Sequence, residues 1–164
     1  MKTNPRILSV LDLHAQPERI CRIALAMATL QQAALSFVTL FDHPTDRPDP
    51  QLSCHEQFQK AEQEQQHTLH ALLVRLDAEQ WPHRLLCGDP NAEVSRAAQE
   101  WQATLILADT STARTLYNGW LPWHTQPVPL PCPLRIINPS PALPCWIRHL
   151  WGQIRIVKQH PTRI

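Results

Sequence analysis

Two aspartates and two hydroxyl side chains stand directly after apolar segments of the chain. Asp12 follows the run ILSVL, and Asp109 follows LILA and precedes Thr110 and Ser111. Carboxylates and hydroxyls can hydrogen-bond a polar ligand, and ligands of open α/β sheets bind beyond the carboxyl ends of the strands. These four residues are therefore the candidate nucleotide or small-ligand site.

Glycines are scarce around this candidate site. A phosphate-binding loop needs them, because backbone N–H groups must approach the anion closely. The ten residues that follow Asp109 contain one glycine, Gly119, and the whole chain contains three glycines. This composition is unfavourable for a phosphate-binding loop after Asp109.

Apolar periodicity alternates between strand-like and helix-like segments along most of the chain. Helix start signals occur at Pro17, at Ser53 with a glutamate three residues later, and at Asp89 followed by Pro90. Strands that alternate with helices require a parallel sheet with right-handed crossovers. The predicted fold class is α/β, an open five-stranded parallel sheet with helices on both faces. The predicted strands are 7–11, 34–41, 83–87, 105–108 and 132–138.

Charges and prolines divide the 164 residues into two unequal parts. Residues 1–109 hold all 14 acidic residues and nine of the 15 Lys and Arg. Residues 110–164 hold the other six basic residues and no acidic residue. Eight of the 16 prolines lie from Pro122 to Pro144, where regular structure is hard to sustain. We therefore predict a domain over residues 1–139 and a basic, tryptophan-containing tail over residues 140–164.

Composition disfavours several classes of protein. There is no run of about 18 apolar residues and no secretory signal at the start, so we expect a cytoplasmic protein. Five widely spaced cysteines without a C-x-x-C motif favour free thiols over disulfides or zinc. No glycine-flanked serine nucleophile occurs, and we expect no enzymatic activity, no metal and no cofactor. The thinly spread positive charge after Asp109 argues against nucleic acid as a partner.

Residues 142–160, ALPCWIRHLWGQIRIVKQH, predict a basic amphipathic tail helix. Pro144 suits a first helical position, apolar side chains recur at helical spacing, and no acid is present. Such a helix could dock on a protein, lie on an anionic membrane or pack on its own domain, and we favour docking on a protein. The predicted docking residues are Trp146, Ile147, Arg148, Leu150, Trp151, Ile154, Arg155 and Lys158.

Three segments of the chain resemble the universal stress protein family. RILSVLDLH, GDPNAEVSRAAQEWQATLILAD and CPLRII are similar in order and spacing to the family's first strand, its G-x-P segment with the fourth strand, and its last strand. The resemblance covers residues 5–138. It implies a flavodoxin-like sheet of five strands and a homodimer formed by pairing the last strands of two subunits.

The resemblance also bears on the glycine-poor segment. Family members that hold ATP carry G-x2-G-x9-G-(S/T) after the fourth strand, and an aspartate after the first strand that Asp12 matches. Alignment places Asp109, Thr112 and Pro122 at the three glycine positions. A carboxylate there would repel phosphates, and the Cβ of Thr112 would stand where the backbone must approach the nucleotide. The resemblance therefore implies a member without the ATP-binding glycines.

Two functions remain open for this sequence. The first is a non-catalytic regulatory or accessory domain that dimerises and docks its basic tail on a protein partner. That partner could be a membrane protein, and the domain could then lie at the periphery of the membrane. The second is a sensor of a small molecule or nucleotide with an altered pocket. The missing glycines favour the first.

Overall fold

The computed structural model describes residues 4–41, 51–118 and 129–138. The predicted tail helix and all of its docking residues lie outside these ranges. Within them, strands and helices alternate throughout. In chain order the elements are β1 Arg6–Leu11, α1 Pro17–Gln31, β2 Ala34–Leu40, α2 Cys54–Arg75, β3 His83–Leu86, α3 Pro90–Trp101, β4 Leu105–Asp109, α4 Thr110–Asn118 and β5 Leu134–Ile137.

The five strands form one parallel sheet in the order β3-β2-β1-β4-β5. β1 lies at its centre, where Ser9 is opposite Phe37 of β2 on one side and Leu107 of β4 on the other. From β1 the chain extends outward through β2 and β3, and then returns to add β4 and β5 on the other side. This confirms the predicted α/β fold with a five-stranded parallel sheet.

Side chains of β1 alternate between two hydrophobic clusters, because successive residues of a strand face opposite sides of the sheet. Ile7 and Leu11 pack with apolar residues of α1 and α2, whereas Leu8 and Val10 pack with those of α3 and α4. The sheet is therefore covered by helices on both faces, and its central strand is almost completely buried.

The helix start signals that the sequence contains form the hydrogen bonds expected of them. Ser53 Oγ accepts from the backbone N–H of Glu56 at 3.3 Å, and Glu56 Oε2 accepts from the N–H of Ser53 at 2.8 Å. Asp89 Oδ1 accepts from the N–H of Ala92 at 2.9 Å and begins α3. Before it, Gly88 has a φ of 132°, a conformation that other residues rarely adopt.

The chain passes directly from β4 into α4, a helix that is not among those predicted to start at Pro17, Ser53 and Asp89. Asp109 is the last residue of β4, and Thr110 is the first residue of α4, so no loop separates them. The buried side chains of Ala113 and Leu116 anchor α4 to the domain. The last strand is also shorter than predicted, since Pro133, which lacks an N–H, precedes its first residue.

Candidate functional site

The four candidate ligand residues lie together at the carboxyl edge of the sheet. Asp12 follows β1, Asp109 ends β4, and Thr110 and Ser111 open α4. β1 and β4 are neighbours, and the chain leaves them toward opposite sides of the sheet. The carboxyl ends of two such strands border the crevice where open α/β proteins bind ligands.

The carboxylate of Asp109 caps the N-terminus of α4. Its Oδ1 accepts a hydrogen bond from the backbone N–H of Thr112 at 2.7 Å, as an N-cap side chain does three residues before its donor. The same oxygen lies 2.9 Å from Ser111 Oγ, which donates to it. The helix terminus that could have bound an external anion is thus occupied by the chain's own carboxylate.

Ser111 also brings Asp12 into this arrangement. Its Oγ lies 3.2 Å from Asp12 Oδ2 and can give its one proton to either Asp12 or Asp109 at a time. The other oxygen of Asp12 accepts from the backbone N–H of His14 at 2.9 Å and so closes the turn after β1. Two carboxylates therefore share one hydroxyl.

Thr110 points to a different part of the edge. Its Oγ1 lies 3.2 Å from Oδ1 of Asn138, the residue after β5, and donates to it. Thr110 therefore joins the start of α4 to the end of β5, while Ser111 joins it to the turn after β1. Each of the four candidate residues has a partner within the protein.

A small cavity lies beside Asp12, and its lining includes two residues that the sequence did not single out as ligand contacts. It measures about 170 Å³ and is bordered by the turn after β1 and by side chains of α2 and α4. Gln65 Oε1 and Thr112 Oγ1 line it, and both are buried without a hydrogen-bond partner among the described residues. Nothing in the sequence indicates that Gln65 and Thr112 line the same cavity, because they are far apart along the chain.

Other kinds of site are not seen in the described part of the chain. Residues 4–41, 51–118 and 129–138 contain no group of three or more His, Cys, Asp or Glu side chains that could hold a metal ion. No helix within these ranges has the length and apolar character needed to span a membrane.

The sheet order and the crevice beyond β1 and β4 define an open, doubly wound α/β domain. A sequence model of the universal stress protein family matches residues 3–121, most of the domain. The chain belongs to this family. A search of curated proteins gives no match.

Solved structures with the same fold are themselves universal stress proteins. A family member from Burkholderia pseudomallei is 22% identical with a TM-score of 0.58, over 84% of this chain and 98% of the other. UspA from Lactobacillus plantarum is 18% identical with a TM-score of 0.58, over 84% and 99% of the two chains. A universal stress protein in complex with cAMP is 15% identical with a TM-score of 0.54, over 84% and 98%.

We expect the variant Asp109→Ala to lower the free energy of unfolding by about 1–2 kcal/mol, the usual loss for an N-cap. The variant leaves the N–H of Thr112 without its acceptor at the start of α4. Asp109→Asn is the matched control, because it removes the charge but keeps an oxygen that can cap the helix. Urea denaturation measures both. An Asn variant as unstable as the Ala variant would mean that the charge, and not the cap, is the stabilising feature.

Proposed function

We propose that this chain is a non-catalytic regulatory or accessory domain whose strand-end site does not bind ATP. The observation that carries the proposal is the cap of α4 by Asp109, which accepts from Thr112 N–H and from Ser111 Oγ. A nucleotide phosphate at this position would have to displace the cap and lie beside its negative charge. Both effects weaken anion binding at this terminus.

Thr112 adds a steric obstacle to the electrostatic one. At the position that aligns with the second glycine of ATP-holding members, its side chain is only 3% exposed and fills space beside the turn after β1. A phosphate-binding backbone needs room at this point, which glycine leaves open and a buried threonine does not.

The cysteines offer no support for a thiol nucleophile. Burial raises the pKa of Cys21 to about 12, and it also raises the pKa of Cys87 and of Cys132 above the usual range. A thiol whose pKa is raised holds little thiolate near neutral pH, and the thiolate is the reactive form. The remaining described cysteine, Cys54, is free and exposed on the first turn of α2.

A sensor of a small uncharged ligand is the second candidate function. It is favoured by the unpartnered Gln65 Oε1 and Thr112 Oγ1 that line the 170 Å³ cavity. A volume of this size is below the range of about 300–1,000 Å³ that drug-sized ligands occupy. The relative solved with cAMP holds a nucleotide, but this cavity suits a smaller molecule with hydrogen-bonding groups.

Mass spectrometry of the purified, denatured protein separates these two functions. We expect no stoichiometric nucleotide, because the capped helix and the filled glycine position leave no room for its phosphates. A family member known to retain ATP, purified identically, is the positive control. Recovery of one nucleotide per chain would contradict the first proposal, and recovery of one small uncharged molecule per chain would favour the sensor.

The edge strand β5 supports the further proposal of a homodimer. β5 pairs with β4 along one side, and no other strand of the described residues pairs with it. Ile136 is 43% exposed there, and an apolar edge left open invites pairing with another chain. Pro131 and Pro133 precede the strand and offer the competing means of protecting this edge.

We expect light scattering to give the mass of a dimer at tens of micromolar protein. The variant Ile136→Lys should shift the protein to the monomer, because a charged side chain on an edge strand opposes pairing. Val74→Lys, which changes an exposed apolar residue of α2, is the matched control and should remain a dimer. A wild-type protein that is monomeric under these conditions would refute the dimer.

A protein partner bound by the tail completes the proposed function. The described chain ends at Asn138, directly after β5 and beside the start of α4. Residues 140–164 carry four basic residues, no acid and two tryptophans. Tryptophan and arginine are frequent anchors of protein interfaces, so this composition fits an acidic, partly apolar surface.

A further inference from the structure

A second and larger recess lies on the other side of the candidate residues. It is bordered by the start of α1, the start of α4 and the end of β5, and it measures about 610 Å³. We call it the α1–α4 groove. It shares no lining residue with the 170 Å³ cavity, and its volume is within the range of small-molecule sites, about 300–1,000 Å³.

Two arginines line the α1–α4 groove without a partner. Arg19 projects from α1 and Arg114 from α4, and neither guanidinium forms a hydrogen bond or ion pair with any residue that the structure describes. The Nε of Arg19 is also buried and has no acceptor among the residues that the structure describes. A buried donor without an acceptor is unfavourable, and a bound ligand that supplies one would remove this cost.

The groove has little negative charge of its own to satisfy these guanidiniums. Among the described residues that line the groove, Asp109 is the one carboxylate, and its Oδ1 already accepts from Thr112 N–H and Ser111 Oγ. No Asp or Glu follows Asp109 in the sequence, so the later residues supply no acidic side chain. Two guanidiniums therefore stand against one carboxylate among the described lining residues, and the nearby Asp12 lies outside the lining.

The two hydroxyl groups that line the groove are hydrogen-bonded within the protein. Thr110 Oγ1 donates to Asn138 Oδ1, and Ser111 Oγ donates to an aspartate. The two guanidiniums are thus the charged donors left for a ligand. Guanidinium groups match the geometry of carboxylates and phosphates, which they bind through two parallel hydrogen bonds.

We propose that the α1–α4 groove binds a small organic oxyanion, with its carboxylate or phosphate group held between Arg19 and Arg114. The ligand carries one or two negative charges, which the pair of arginines balances. Its two arginines lie outside the three positions that align with the glycines of ATP-holding members, although Asp109, at the first of these positions, also lines the groove. The site goes beyond the regulatory role proposed above, and binding of a small oxyanion is measured separately from binding of Mg-ATP.

Thermal unfolding with inorganic phosphate and with acetate tests the site directly. Ionic strength is held constant with sodium chloride, so that general screening does not change during a titration. We expect at least one of the two anions to raise the melting temperature in a saturable way, with a dissociation constant of about 1 mM. Stronger binding of phosphate would indicate a phosphate ester as the ligand, and stronger binding of acetate would indicate a carboxylate.

Variants of the two arginines identify the binding groups. Arg19→Gln/Arg114→Gln should weaken binding at least tenfold. Arg114→Gln alone should also weaken it, and its side chain is exposed, so the fold is preserved. The matched control is Arg75→Gln/Arg96→Gln, which removes the same charge from two surface ion pairs outside the groove. It should bind as the wild type does.

Two results would overturn the proposal. The first is the absence of a saturable effect of either anion beyond that of chloride. The second is unchanged binding by Arg114→Gln together with the double glutamine variant. Neither result would bear on Mg-ATP, which is measured separately, so failure of this site and failure of the proposed function are distinguishable.

Discussion

Deletion of residues 140–164 is expected to abolish recovery of a partner from cell lysate and to leave the domain folded. The described sheet and its two hydrophobic clusters are formed by β1 to β5 and α1 to α4, all within residues 4–41, 51–118 and 129–138. The deleted segment contains the basic, tryptophan-bearing tail and contributes no strand of the described sheet. Circular dichroism and affinity capture from lysate measure the two effects.

Point variants of the full chain test the same prediction more specifically than the deletion does. Trp146→Ala/Trp151→Ala should remove most of the capture, because buried aromatic anchors account for much of the binding energy of an interface. Gln153→Ala/Gln159→Ala, in the same segment, is the matched control and should retain capture. Replacing Arg148, Arg155 and Lys158 with glutamate should slow association, most clearly at low salt.

A membrane as the target would give a different result. Sedimentation with vesicles of phosphatidylserine and phosphatidylcholine tests it, because a basic helix with interfacial tryptophans binds anionic lipid. We expect capture of a protein without cosedimentation. Cosedimentation that needs the tail would place the tail on a lipid surface instead. Unfolding of the truncated chain would show that the tail is part of the core and contradict docking altogether.

The sequence predicted the architecture well where local signals agreed with the tertiary structure. Ser53 and Asp89 cap α2 and α3 as their positions indicate, and short apolar runs identified the strands. The start of α4 was missed, although Asp109 is an N-cap residue and Ala113 and Leu116 lie three apart. A polar run directly after a buried strand does not by itself indicate that a helix begins there.

The candidate site could be predicted only in part. The carboxyl ends of parallel strands meet at one edge, which is why Asp12 and Asp109 could be placed together from the strand pattern alone. Gln65, Arg19 and Arg114 carry no such signal. Each lies on a helix, and the side of the helix that faces a cavity is fixed by packing and not by local sequence.

We expect Mg-ATP to show no saturable binding, which is a large loss of binding free energy. A micromolar dissociation constant corresponds to about −8 kcal/mol of binding free energy. Here the anion-binding terminus of α4 is capped by Asp109, and Thr112 fills the space needed by the backbone. Affinity at least a thousandfold weaker than micromolar follows from the loss of these contacts.

Glycine variants test the cause of this loss. Asp109→Gly/Thr112→Gly removes both the carboxylate and the buried side chain, and we expect it to recover a part of the affinity for Mg-ATP. Recovery should be incomplete, because Pro122 still stands at the third glycine position. Ser111→Gly is the matched control, since it adds a glycine without removing the charge of Asp109 or the side chain of Thr112.

Isothermal titration calorimetry of the full chain with Mg-ATP tests the central claim most directly. The claim is that the carboxyl edge between β1 and β4 is closed to triphosphates by the chain's own carboxylate and threonine. We predict no saturable heat up to about 1 mM ligand. A dissociation constant of about 1 mM corresponds to a binding free energy of about −4 kcal/mol. A dissociation constant in the micromolar range, with one nucleotide bound per chain, would contradict it.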